Sequence, residues 1–127
     1  LGMDTPQITP DLLRQAFFAL ETGMDAAIGS TEDGGWWALA LQHAGHARVL
    51  SGVPMSTPET YQATTAAVRG LGLTTALLPR LIDVDTAADA AAVADLIPDT
   101  RFGQLAVLLL GATGAVVRAA ALSGAQR

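Results

Sequence analysis

Thr31-Glu32-Asp33-Gly34-Gly35-Trp36-Trp37 is the stretch that decides how this chain is read. Two adjacent carboxylates meet two glycines, and two large aromatics open an apolar run from Ala38 to Leu41. Paired glycines permit positive φ and let a backbone come close to a ligand, at an entropic cost. A turn of this kind feeding an apolar strand can hold something against a sheet. Taken alone it reads more readily as a hairpin loop with solvated acids, since that composition is common in loops. Two other acidic stretches shift the balance: Gly2-Met3-Asp4-Thr5-Pro6-Gln7 at the start and Asp83-Val84-Asp85-Thr86 two-thirds of the way along.

Working outward on the N-terminal side, Thr9-Pro10-Asp11 is a helix start: a hydroxyl N-cap, proline at the first helical position, and an acid at the positive end of the dipole. Leu12, Leu13, Ala16, Phe17 and Leu20 then share one face at helical spacing, which predicts Phe17 as a buried anchor. Gly23 closes the helix at C′. Asp25 to Ser30 is short and mostly apolar and reads as a strand. Trp36 to Leu41 reads as a second strand, apolar on both faces and therefore interior.

On the C-terminal side, Gln42 to Gly52 shows no periodicity. His43 and His46 stand at i, i+3 there, but no third ligand is near in sequence, and exposed loop histidines are the expectation. Ser56-Thr57-Pro58-Glu59 repeats the helix-start logic, with Tyr61, Thr64, Val68 and Leu71 as the buried stripe and Gly72 as the stop. Thr74 to Ile82 is a strand in which Pro79 signals an edge or an end. Thr86 caps the next helix with Asp89 at N3, a variant of the capping box. Pro98 ends that helix. Leu105 to Leu110 is strongly apolar, yet Arg118 breaks the uncharged run that follows, so a helix packed on the domain is favoured over a membrane span. The tail from Ala119 to Arg127 is expected to fray.

Length and composition narrow the field. With 127 residues the chain has room for one domain with a real core. Half its residues are apolar and 15% are charged, a globular balance. A formal net charge of −5 argues against a nucleic-acid backbone as partner, because that needs a basic face. All 7 basic residues are arginine, and there is no cysteine for a disulfide or for thiol catalysis. No secretory signal is visible, which makes a cytoplasmic location the default expectation. The sequence begins with Leu1 rather than methionine, and Asp4 follows almost at once. The expectation is a fragment or a trimmed start, since a carboxylate at a strand tip needs its strand.

Strands alternating with helices predict an α/β layered fold with a mainly parallel sheet. Ligands of such sheets collect beyond the carboxyl ends of the strands. Each acidic stretch follows an apolar strand or its remnant, so all three can converge on one edge. Gathered carboxylates repel one another unless a cation sits among them. Mg²⁺ or Mn²⁺ takes oxygen ligands, and Mg²⁺ sites use one or two carboxylates with substrate phosphates. Asp4 with Asp85 or Asp83 would make such a metal–diphosphate platform, offsetting charge on a leaving diphosphate.

In order, Gly-Met-Asp-Thr-Pro-Gln (2–7), Glu-Asp-Gly-Gly-Trp-Trp-Ala-Leu (32–39), Gly-Val-Pro-Met-Ser-Thr-Pro (52–58) and Asp-Val-Asp-Thr (83–86) resemble the C-terminal half of a bacterial family of GT-A-type glycosyltransferases. That family is similar to the nucleotide-diphospho-sugar transferases and includes arsenosugar-biosynthesis members. The resemblance runs from Leu1 to about Asp95. It implies a Rossmann-like three-layer α/β/α fold without its N-terminal strands, with residues 1–110 as the C-terminal part of the domain and 111–127 as an apolar helix or tail. It also implies metal-dependent glycosyl transfer from a nucleotide-sugar donor to a small-molecule acceptor. Nucleotidyl transfer on the same scaffold is the alternative, which fold alone does not separate.

Carried over residue by residue, the resemblance puts the divalent metal on Asp4, with Asp85 joining it and Asp83 adjacent. Glu32 and Asp33 become the catalytic acids on the acceptor side, with Gly34, Gly35 and Trp36 lining the substrate. Ser56 and Thr57 match a loop assigned to substrate binding. Full members begin with a glycine-rich basic loop after the first strand, which this chain lacks. The chain is therefore expected to supply the metal and acceptor half. A rival of another class is a non-catalytic interaction domain, homodimerising through an open sheet edge.

Overall fold

The computed structural model describes residues 1–111. Helix α1 spans Pro10–Glu21, strand β1 Ala26–Thr31 and strand β2 Trp36–Leu41, followed by 3-10 turns over Ala44–Gly52. Helix α2 (Thr60–Gly70), strand β3 (Thr75–Leu81) and helix α3 (Ala87–Leu96) complete the order, and residues 101–111 are helical. The residues group into two compact units, Leu1–Asp83 and Val84–Arg127, a finer division than length alone suggests. The expected division after residue 110 falls at the limit of the described residues, and the tail beyond it lies outside them.

In the first unit the sheet has the order β2-β1-β3. β1 pairs with β3 in parallel through the α2 crossover and with β2 antiparallel through the Glu32–Gly35 turn. The hairpin reading of that turn is thus the correct local one, and the sheet is mixed. β2 also departs from expectation: among the described residues it is an edge strand, and only Trp37 and Ala38 of it are buried. β1 is the interior strand, with Ala26, Ala27 and Ile28 all buried, as its place between two neighbours requires.

Trp37 packs in one cluster with Ala16 of α1, Ala27, Leu78 and Leu81, with Ile8, Leu12, Leu13 and Ala19 around it. Trp36 points the other way and donates its indole N–H to Thr64 of α2 at 3.1 Å. α1 and α2 therefore cover opposite faces, which makes the three-layer α/β/α arrangement. Phe17 does not join the core. It is 62% exposed, as Phe18 is at 65%, because the cluster under α1 takes Leu12, Leu13, Ala16 and Ala19 while Phe17 falls to the flank.

The local signals for α1 and α3 form as their residues dictate. Thr9 Oγ1 accepts the Leu12 N–H at 3.2 Å, and Gly23 closes the helix with φ of 100°. Thr86 and Asp89 make a reciprocal capping box in the second unit. α2 starts two residues later than Pro58 suggests: Thr57 and Thr60 exchange bonds in a tight turn, and Thr60 Oγ1 donates to Pro54 C=O at 2.7 Å. Thr64 and Val68 of its expected stripe are buried, whereas Tyr61 is half-buried and Leu71 is 40% exposed. His43 is exposed and His46 half-buried, their rings edge to face at 5.4 Å. No described helix is long and apolar enough to cross a membrane.

Candidate active site at the carboxyl edge of the sheet

Two bulges shape the edge. Gly29 faces Ala38 while Ser30 faces Trp36, so β2 carries one extra residue there. Across the sheet Gly29 faces Leu78 while Thr31 faces Leu81, so β3 carries one extra residue at the same level. Bulges re-aim side chains and strengthen local twist. Trp37, freed by the first bulge, lies across Gly29 and reaches β3, donating its indole N–H to Pro79 C=O at 2.8 Å. A Cβ at position 29 would stand 2.1 Å from Trp37 Nε1, so only glycine admits the indole.

Beyond the bulges the turn is tied down on three sides. Glu32 N–H donates to Leu81 C=O at 3.1 Å, and Glu32 C=O accepts from Arg80 Nη2 at 3.1 Å. Gly34 has φ of 93°, its C=O accepts the Tyr61 N–H at 2.8 Å, and a Cβ there would meet Pro58 O at 2.0 Å. Gly34 thus docks the turn on the start of α2. Asp33 folds back on the turn: its Oδ1 accepts from Thr31 Oγ1 at 2.6 Å and from Gly35 N–H at 2.9 Å. The Thr31 hydroxyl and then the Gly35 amide hold the Asp33 carboxyl below its ordinary value, and Asp83, within hydrogen-bond reach, adds to this.

The start of the chain joins the same edge. Gly2 N–H donates to Trp37 C=O at 2.6 Å, laying the first residues along β2. Gln7 Nε2 donates to Ile82 C=O at 3.0 Å, which holds the Gly2–Gln7 stretch against the segment leaving β3. Two acidic stretches and Asp83 of the third therefore meet where β1 and β3 end. Asp4 is exposed on a bend, and Asp85 belongs to the second unit, exposed, with its N–H on Asp89 Oδ2. The pair brought together is Asp33 with Asp83, neither of which sequence reasoning had joined to the other. Among the described residues no three acidic or histidine side chains converge closely enough to hold a metal ion.

Three substrate candidates have structural employment. Trp36 is bonded to Thr64, Thr57 Oγ1 accepts the Glu59 N–H at 3.3 Å, and Gly35 N–H serves Asp33. Ser56 is exposed and left-handed, with φ of 58°, a conformation uncommon outside glycine. A cavity of about 240 Å³ lies beside the turn, lined by Ser30, Thr31, Gly34, Pro58, Tyr61, Gln62 and Arg80. Sequence reasoning missed Arg80 and Gln62 in this role. The one available signal was a charged residue directly after Pro79, where a strand pattern breaks.

A parallel strand pair with a crossover helix and carboxylates at its carboxyl edge defines an α/β fold of the kind that binds ligands at that edge. A family model described as uncharacterized proteins conserved in bacteria (DUF2064) matches residues 1–57. No curated protein sequence matches the chain. The fold is similar to the crystal structure of a protein from Desulfovibrio desulfuricans G20, provisionally described as a nucleotide-diphospho-sugar transferase. The TM-score is 0.74 at 27% sequence identity, covering 93% of this chain and 52% of that one. The chain thus spans about half the length of the structure it matches. Its fold is the mixed α/β fold of that protein.

Proposed function

We propose that this chain is the metal- and acceptor-bearing half of a GT-A-like transferase that moves a glycosyl group from a nucleotide-diphospho-sugar to a small-molecule acceptor. The observation that carries this reading is the Asp33–Asp83 pair at the carboxyl end of two parallel strands, in a fold similar to a provisionally described nucleotide-diphospho-sugar transferase. Two carboxylates in such proximity share either a proton or a cation. The Thr31 hydroxyl and the Gly35 amide favour ionised Asp33, which can accept a proton shared by Asp83 or, once that proton is displaced, take part in holding a cation. One or two carboxylates suffice for Mg²⁺ when substrate phosphates complete the shell.

Asp33 and Asp83 would hold Mg²⁺ or Mn²⁺, with exposed Asp4 as a further candidate ligand. When bound, the metal supplies positive charge against the diphosphate as it leaves. In the transfer, the bond from the sugar's anomeric carbon to the diphosphate oxygen breaks with its electron pair on that oxygen. The acceptor oxygen bonds to the anomeric carbon and gives up its proton. Glu32, exposed on the same turn and fixed through its backbone to Leu81 and Arg80, is the base we assign to that proton. The rigid turn keeps the Glu32 and Asp33 backbones in one place, which is what preorganisation requires.

The test is Mn²⁺ binding followed by electron paramagnetic resonance on the wild type and on D33N, D83N and D4N. Loss of bound Mn²⁺ in D33N and in D83N is the expected result, and D4N reports whether the Asp4 carboxylate contributes. Titrations of D33N and D83N that overlay the wild type would overturn the metal assignment.

A further inference from the structure

The cavity beside the turn is cationic at its rim, in a chain of net charge −5. Arg80 is the residue responsible, and the β3 bulge explains its position. The extra residue opposite Ser30 and Thr31 interrupts the alternation of β3, and Arg80 comes out at the cavity instead of continuing the strand pattern. Its Nη2 is anchored on the Glu32 carbonyl, a neutral acceptor. Arg14 is paired with Asp11, whereas the partner of Arg80 on this turn is a neutral carbonyl. An arginine has five N–H donors in a fixed fork that suits a carboxylate or a phosphate. One donor is used on Glu32, and the fork has others that a ligand could meet.

The walls suit a small polar anion. Gln62 and Tyr61 line the cavity from α2, and Thr31 and Ser30 line it from β1. At about 240 Å³ the space is below the roughly 300–1,000 Å³ of drug-sized ligand sites. It fits a fragment of a substrate, not a whole nucleotide. Thr31 is shared between this cavity and the metal pair, since its hydroxyl donates to Asp33. A ligand in the cavity thus lies one residue away from Asp33.

We propose that the Arg80 cavity is the acceptor subsite and that it selects an acceptor carrying an oxyanion, a carboxylate or a phosphate. The inference rests on the transferase reading for the word acceptor, but the anion site stands on its own geometry. Arg80 grips the oxyanion while Tyr61 and Gln62 flank it, and the acceptor's hydroxyl is presented toward the Glu32–Asp33 turn. A neutral sugar acceptor would give the guanidinium no charged partner inside the cavity.

The experiment is a metal-free titration of the 127-residue chain with inorganic phosphate and, separately, with glycerate, followed by ¹⁵N–¹H correlation spectra. Saturable shifts at the amides of Gly34, Tyr61 and Gln62 and at Arg80 Nε are expected with at least one of the two anions, and the stronger one identifies the class. R80Q should weaken that binding by about tenfold or more, the scale of a lost charge-assisted contact. R80K should recover part of it. The spectra report the fold of each variant directly, and Q62A provides a second perturbation of the same wall. Shifts that are absent, scattered over the surface, or unchanged in R80Q would overturn the subsite. Anion binding that survives alongside a failed Mn²⁺ titration would leave the subsite intact and remove the transferase reading instead.

Discussion

Gly29 shows how much one hydrogen atom in place of a methyl can decide. The Trp37 indole crosses β1 at the point where that methyl would stand, and its N–H closes the gap to Pro79 on the far strand. Gly29→Ala therefore has to expel the indole or shift β1, and overpacking of this kind costs about 1–3 kcal/mol or more. Urea unfolding of G29A should show that loss, whereas Gly45→Ala, with open space around it, should not. Phe17→Ala belongs with the small effects, within about 0.5 kcal/mol, because that ring is largely in solvent. Asp33 provides a third measurement at this scale. Its folded carboxyl lies below the ordinary 3.8 chiefly through the Thr31 hydroxyl, so Thr31→Val should move the Asp33 midpoint in a carboxyl NMR titration upward. An unchanged midpoint would mean that the hydroxyl is not the cause. None of these residue-level facts was legible in the sequence. Gly29 and Trp37 sit eight positions apart, and their meeting depends on a bulge that only cross-strand register creates.

Elements were more legible than residues, and the reason is locality. Thr9, Gly23, Thr86 with Asp89, and Gly72 act within a few residues of themselves, so their side chains and φ preferences set helix ends whatever surrounds them. Strand existence followed from apolar runs, and β2 was placed to the residue. Strand neighbours did not follow. Trp36 to Leu41 is apolar enough for an interior strand, yet it lies on the edge because the turn before it folds it back on β1. The carboxylates were found as candidates for the same local reason, while the pairing of Asp33 with Asp83 required two strands to end side by side. A pH effect belongs to this scale. Asp89 is held below 3.8 first by the Thr86 side chain and then by the Thr86 amide, both bonds of the α3 capping box. A depressed carboxylate contributes stability that is present above its unfolded value and is lost as pH falls through its folded value. Protection of the first-turn amides of α3, the exchange rate taken relative to the intrinsic rate at each pH, should accordingly hold above about pH 4 and fall below it. Asp89→Asn should flatten that fall; a profile with the same acid limb in D89N would show that another group controls it.

At the scale of the whole molecule the chain divides its chemistry unevenly. The edge of the first unit collects Asp33, Asp83 and the Gly2–Gln7 stretch, and Arg80 is the cation lining the cavity beside them. A nucleotide-sugar presents a base, a ribose and a diphosphate, and on the proposed reading the carboxylates would address only the diphosphate, through a metal. The resemblance assigns the base and phosphates to a glycine-rich basic loop that this sequence does not contain, and the crystal structure similar to this chain is about twice the matched length. Binding of a donor by the 127 residues is therefore predicted to be weak, dependent on metal, and blind to the base. UDP-glucose and GDP-mannose titrated calorimetrically with Mn²⁺ should give indistinguishable affinities, and withholding Mn²⁺ should weaken both. The −5 charge sharpens the second expectation, because without a cation the acidic edge repels a diphosphate. D83N should remove the metal-dependent component, while R80Q should leave it largely in place if Arg80 serves the acceptor. Tight binding that prefers one base would show that residues of this chain complete the nucleotide site, and the assignment of the chain to the metal and acceptor half would fall.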